Sequence, residues 1–235
     1  MKSMMTLVAL VAAAGSAHAA TVAYWAFPTT APAQNYNITW PINADLKANA
    51  GLATLDADAP KYDGSAAPNA IAQGSMQLFT GDNTGALPGF AATTAISMRN
   101  DSQDRGQGKS IILRFDASGF QNMVLSFAER YSSTGPQTTT ISYSGDGVNY
   151  TTATSYSNTR SGAFLALRTV NLSAASGISF NSAAYVKITF SQFNAGSNGS
   201  ARLDNILIDG TFIPAPGSMA LLAIGGLVAG RRRRA

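Results

Sequence analysis

No cysteine occurs in the 235 residues, and the single histidine is His18. These two absences exclude disulfide stapling, cysteine nucleophiles, zinc held by His or Cys, and a Ser-His-Asp triad anywhere beyond residue 18. Glutamate is nearly missing too: Glu129 stands alone, so two-carboxylate chemistry would have to recruit an aspartate, with Asp116, Asp146, Asp204 and Asp209 as candidates. There is no G-x-S-x-G nucleophile motif. Charged residues make up 12% of the chain, and its apolar runs stop short of the roughly 20 residues that span a bilayer. The expectation is a non-catalytic protein held together by an apolar core, and a body of this length can build one.

What is present begins with Lys2, the apolar run "MMTLVALVAAAG" and then "SAHAA". A charged start, a short hydrophobic stretch and small residues at Ala17 and Ala19 make a secretory signal peptide over residues 1–19, cut after Ala19 or Ala20. No twin arginine precedes it and no cysteine follows it, so the Sec translocon is the expected export partner. Lys2 and Arg231 to Arg234 account for five of the sixteen basic residues, which leaves eleven against twelve acids and a formal charge of −1 for the body. The high pI belongs to the tail, and nucleic acid is not an expected partner.

Between the ends the chain is rich in Ser, Thr, Asn, Gly and Ala, and its apolar residues recur with period 2. Strands are expected at 22–27, 76–80, 95–99, 110–116, 123–130, 164–172, 184–193 and 202–212. A hairpin is expected over 138–156, turning tightly through Asp146-Gly147. In 184–193, Val186, Ile188 and Phe190 form an inward row, while Tyr185, Lys187 and Thr189 point outward. The segment from Trp40 to Gly89 reads as long loops with a short helix at most, apart from the strand at 76–80. The fold class is therefore all-β, an antiparallel β-sandwich over residues 20–212, with a signal helix before it and a short hydrophobic helix after it.

Three residues stand out as candidate ligand contacts. Trp40, flanked by Thr39 and Pro41, could stack on a sugar ring. Asp204 and Asn205 offer oxygens to a ligand or to calcium, or else fix the preceding loop by hydrogen bonds, as Asx residues do at turns. The oxygen-rich turns at 55–64 and 80–85 complete the calcium inventory, although Pro60 and Lys61 break an EF-hand pattern in the first. No cofactor is required by any motif.

The stretches "SYSGDGVNY" (142–150) and "AYVKITFSQFNAGSNGSARLDNILIDG" (184–210) resemble the closing half of secreted jelly-roll domains of the carbohydrate-binding, galactose-binding-like type. That resemblance spans about residues 95–212 and implies a jelly-roll fold more than a ligand, an extracellular polysaccharide being the partner class to test.

The tail "IPAPGSMALLAIGGLVAGRRRRA" (213–235) is the most specific segment. Its apolar piece, Met219 to Gly230, would cover roughly 18 Å as a helix where a bilayer core needs about 30 Å. Pro214 and Pro216 block extension upstream, and Arg231, Arg232, Arg233 and Arg234 form a positive-inside stop. This layout resembles the PEP-CTERM sorting signal read by an exosortase. Pro214 and Pro216 match its two prolines, Gly217 and Ser218 the small residues after them, and the arginines its basic end; Ala215 departs from the pattern, standing where the family has Glu. The resemblance implies transient inner-membrane insertion, removal of residues 213–235 by an exosortase-type enzyme, and a destination at the cell surface or in a biofilm matrix. The rival reading is a secreted polysaccharide hydrolase using Glu129 with an aspartate.

Overall fold

The computed structural model describes residues 18–27, 34–35, 40–59, 76–90, 94–175 and 177–213. Both expected terminal helices, the signal segment to residue 17 and the sorting motif Pro214, Ala215, Pro216 and Gly217 with its arginines, lie outside the described residues. Within them every regular element is a strand. In chain order these are β1 (His18–Trp25), β2 (Gln34–Asn35), β3 (Ile42–Asn43), β4 (Leu46–Lys47), β5 (Thr54–Ala57), β6 (Met76–Thr80) and β7 (Thr94–Arg99). They continue with β8 (Ser110–Phe115), β9 (Phe120–Tyr131), β10 (Thr138–Ser144), β11 (Thr151–Ser157), β12 (Arg168–Asn171), β13 (Ala184–Ser191) and β14 (Ser200–Phe212).

Pairing is antiparallel throughout, in two sheets. The first runs β12-β9-β14-β7-β6-β2, with β1 beside β14 and β4 beside β1; the second runs β11-β10-β13-β8-β5-β3. From β7 onward the chain crosses between sheets at nearly every step, only β10 and β11 being successive in one sheet, which is the jelly-roll manner of winding. The crossing is what the sequence pattern requires, because each strand has one apolar face and needs a second sheet to bury it against.

One shared core fills the space between the sheets. Met123, Leu125 and Phe127 of β9 and Leu203, Ile206 and Ile208 of β14 face Ile111, Leu113 and Phe115 of β8 and Val186, Ile188 and Phe190 of β13, all fully buried. The alternation expected for 184–193 is the alternation found. Trp25 is also fully buried, and its indole N–H donates to the Ile42 carbonyl at 3.4 Å.

β14 is the longest strand, and it changes neighbours halfway. Ser200 to Leu203 pair with β7, Ile206 to Phe212 pair with β1, and β9 runs along the other side of both halves. The change happens at Asn205, whose φ of 49° lies in the left-handed region and shifts the register against β9 between Asp204 and Leu207. Because β1 opens at His18, opposite Phe212, the expected signal cleavage after Ala19 or Ala20 falls among its first pairs and leaves those from Thr21 onward intact.

Three sequence expectations need correction. The 41–59 stretch holds no helix: it forms β3, β4 and β5, and β5 lies inside the second sheet between β8 and β3. Leu55 and Ala57 point inward with Asp56 between them, a period too short and too alanine-rich to read in isolation. The strand expected over 164–172 shrinks to β12, with Phe164 making only an isolated bridge to Arg130. The β10–β11 connection is a six-residue loop, 145–150, and not a two-residue turn. Asp146 organises it, accepting from the Val148 and Asn149 backbone N–H groups at 2.8 Å each and from Ser144 Oγ at 2.7 Å.

With no disulfide available, stability should track core volume directly. Phe190→Ala is expected to lower unfolding free energy by roughly 3–5 kcal/mol, read as a shifted urea midpoint at unchanged slope.

Candidate functional site

The second sheet presents one face to the core and one outward, and the strand register maps the outward face row by row. Ser110, Thr189, Thr140 and Ser155 sit directly opposite one another across β8, β13, β10 and β11. Four strands at about 4.8 Å spacing make this hydroxyl row roughly 15 Å long. Its members bond in pairs: Ser110 Oγ lies 2.9 Å from Thr189 Oγ1, and Thr140 Oγ1 3.0 Å from Ser155 Oγ. The next row carries Asp56, Ile112, Lys187, Ser142 and Thr152, and the one beyond it Thr54, Arg114, Tyr185 and Ser144.

At that end two tyrosines complete the face. Lys187 Nζ sits 3.9 Å from the centre of the Tyr150 ring, and the Arg114 guanidinium carbon 5.9 Å from that of Tyr185. The Tyr185 ring is seated against Gly147, where a Cβ would come within 3.0 Å of it, so only glycine lets the 145–150 loop lie on the ring. Burial raises the Tyr150 hydroxyl pKa, helped by Tyr185, Asp146 and Asp58 nearby, so it remains a proton donor in the ordinary pH range. The result is a flat polar surface of hydroxyls that both donate and accept, ending in two half-buried rings.

The sole glutamate is used differently. Glu129 is 1% exposed and accepts four hydrogen bonds: Oε2 from the Tyr131 and Tyr156 hydroxyls at 2.8 Å each, Oε1 from Arg168 Nε at 3.0 Å and Nη2 at 2.6 Å. Arg168 also stacks on the Tyr156 ring, 4.0 Å from its centre. Burial, then the Glu129 charge, pushes the Tyr156 hydroxyl pKa up, and burial does the same at Tyr131, keeping both hydroxyls as donors. Tyr156 and Arg168 line a depression of about 230 Å³ between the edge strands β11 and β12. Among the described residues no aspartate joins this group. Asp204 is next to the residue opposite Glu129 in the β9–β14 pairing, and alternation turns it to the other side of the sheet.

Asp204 and Asn205 are brought together, fully buried, and turned onto a loop far away in sequence. The Asp82 N–H donates to Asp204 Oδ2 at 2.7 Å, and Asn205 Nδ2 donates to the Asp82 and Thr84 carbonyls at 2.8 and 3.1 Å. Asn205 Oδ1 accepts from the Tyr24 hydroxyl at 2.7 Å, which itself accepts from the Leu87 N–H at 3.1 Å. The pair thus fixes residues 82–87 and not the loop that precedes β14. Gly81 lies so close that a Cβ there would meet Asp204 Oδ2 at 2.2 Å. Trp40 is half-buried and packs against the main core.

Sequence reasoning found the outward set Tyr185, Lys187 and Thr189 through its period of 2 but attached no site to it. Tyr150, Arg114 and the Arg168–Glu129–Tyr156 group went unread, because their grouping depends on pairing between strands distant in the chain.

Burial pushes the Asp204 carboxyl up to about 7, against the opposing N–H bonds of Asp82 and Asn205, with the Asp82 charge adding to the rise. The folded protein therefore keeps this proton up to neutral pH, while an unfolded aspartate loses it near pH 4. The folded state binds more protons across that window, so stability falls as pH rises from about 4 to 7. Chemical denaturation of wild type and Asp204→Asn at each pH should show the wild type losing on the order of 2–4 kcal/mol more over this range.

No family model matches the chain, and no curated protein does. Solved structures overlay it in part. The K1 cleaved adhesin domain of Lys-gingipain from Porphyromonas gingivalis W83 is 11% identical with a TM-score of 0.38, over 66% of this chain and 89% of that one. The N-terminal cellulose-binding domain of Cellulomonas fimi β-1,4-glucanase C is 16% identical with a TM-score of 0.35, over 51% and 80%. The enzymatically active domain of bacteriophage CBA120 tailspike protein 4 is 13% identical with a TM-score of 0.41, over 68% of this chain but only 19% of the tailspike chain. These overlays are loose, and the sandwich is defined by this chain's own strand pairing.

Proposed function

We propose that the chain is an exported, non-catalytic saccharide-binding sandwich, sorted to the cell surface or an extracellular matrix. The observation that carries the binding reading is the outward face of the second sheet, where a four-strand hydroxyl row leads to the Tyr150–Tyr185 pair. A sugar needs two kinds of surface: groups that donate and accept hydrogen bonds in quick alternation, which hydroxyls are, and a ring on which its C–H face can lie. Lys187 and Arg114 hold the rings and add donors at that end. What supports the non-catalytic reading is that the Glu129 carboxylate is committed to two tyrosines and an arginine.

The sorting reading rests on the sequence alone. A signal peptide at residues 1–19, prolines at 214 and 216, a short apolar piece and Arg231 to Arg234 follow one another in the order that an exosortase-type enzyme recognises. Export through the Sec translocon would deliver the body to a compartment rich in polysaccharide, where a hydroxyl-rich face has a partner.

Binding should be measured on an array of neutral polysaccharides. Tyr185→Ala is expected to weaken retention roughly 3- to 10-fold with no change in fold. Loss of binding in Trp40→Ala, with Tyr185→Ala unaffected, would instead move the site to the 40–41 loop. For sorting, intact mass of the protein recovered from its host should show a chain beginning near Ala20 and ending between Pro214 and Ser218 in the outer or medium fraction. A chain that keeps Arg231 to Arg234 in the inner membrane would make the tail a plain anchor.

A further inference from the structure

The outward face of the first sheet is built on opposite lines. Register places Gln77, Ser97, Arg202 and Arg130 directly opposite one another across β6, β7, β14 and β9. Arg99 lies two residues along β7 from Ser97, on the same face and opposite Ser200. Cross-strand neighbours of this kind have Cβ atoms about 5 Å apart, a spacing at which two arginines repel unless an anion lies between them.

Several polar atoms along this row lack hydrogen-bond partners. Gln77 is 1% exposed and Ser97 0%, yet both amide atoms of Gln77 and the Ser97 hydroxyl make no hydrogen bond. Arg202 Nε is buried and equally unpaired, and Arg202 forms no hydrogen bond or ion pair among the described residues. Its guanidinium is held in place by stacking on the Phe79 ring, 4.0 Å from the centre. Arg130 donates its Nε–H to the Gly162 carbonyl, which anchors the neighbouring positive charge beside it. Burial, with repulsion from Arg130 and Arg99, lowers the Arg202 pKa to about 10. Buried donors without acceptors are rare in folded proteins and commonly mark the place of an ion or ordered water.

We infer that Arg202 and Arg130, with Ser97 and Gln77 as neutral donors and Arg99 at the flank, form a binding site for an oxyanion, a sulfate, phosphate or carboxylate group. Planar guanidinium edges match the paired oxygens of such groups, and a hydroxyl and an amide beside them supply the neutral donors that fix orientation. The oxyanion is either a free inorganic ion or a substituent on an acidic saccharide, a sulfate ester or uronate carboxylate. The site is on the opposite sheet from the hydroxyl face and does not depend on that face binding sugar.

Thermal melts of the purified protein in millimolar sodium sulfate or inorganic phosphate, against sodium chloride at equal ionic strength, read the site directly. Wild type should gain roughly 3 °C or more at saturation. In Arg202→Met, which keeps a stem to pack on Phe79 but removes the charge, the gain should vanish while the melting temperature in chloride holds or rises. Ser97→Ala, a small change at a hydroxyl with no partner, should fold as wild type and weaken half-saturation by sulfate roughly 3- to 10-fold. Retention on immobilised polygalacturonate or dextran sulfate, compared with unmodified dextran and lost in Arg202→Met, would assign the oxyanion to a saccharide; a sulfate response without that retention would assign it to the free ion. Melts that do not distinguish sulfate and phosphate from chloride, or a gain that survives in Arg202→Met, would overturn the site.

Discussion

Asn205 is the residue on which the first sheet turns. Its left-handed backbone lets β14 leave β7 and take up β1, and without that change the N-terminal strand would have no edge to join. Asparagine tolerates this conformation better than a bulkier or branched residue, and here the strain is met by a full set of side-chain bonds. Tyr24 comes from β1, the carbonyls of Asp82 and Thr84 from the connection after β6, and Asp204 from the same strand, so the bend and two separate segments hold one another in place. The cost is a carboxyl buried in the same spot, which explains why Asp204 keeps its proton to neutral pH.

The two outward faces of the sandwich solve the problem of polar groups in contrasting ways. On the second sheet, serine and threonine hydroxyls pair with each other, and buried Ser110 is matched by Thr189. On the first sheet, the side chains of Gln77 and Ser97 and the Nε of Arg202 are buried without hydrogen-bond partners, and positive charges stand side by side. A hydroxyl face can wait for a neutral, hydrogen-bonding partner at little energetic cost. An arginine face with orphaned donors is costly when empty and gains when an anion arrives.

Glu129 shows how a lone acidic residue becomes structural. A buried carboxylate is tolerable only if its charge and lone pairs are matched, and Arg168 with the hydroxyls of Tyr131 and Tyr156 does this across both sheets. The group ties β9 and β12 of one sheet to β11 of the other, near the open edge where a depression would otherwise let water into the core. A base free to take a proton would need one of those bonds released.

The fold class was legible in the sequence because it rests on a local rule. Side chains alternate along a strand, so rows such as Val186, Ile188, Phe190 and Met123, Leu125, Phe127 announce one buried face each, and absent cysteine leaves no disulfide to stand in for the core. The expectations for the terminal segments rest on equally local rules, since charge, apolar length and proline placement act over neighbouring residues, and those segments lie outside the described residues. Strands poor in large apolar residues, such as β5, could not be read, because alanine and aspartate acquire strand character only when β8 lies beside them. The sites were decided by tertiary structure alone. Whether Asp204 faces a ligand or a loop, whether Tyr150 meets Lys187, and whether Arg202 stands beside Arg130 all depend on which strands pair and in what register, and register is a relation between residues that the linear chain keeps far apart.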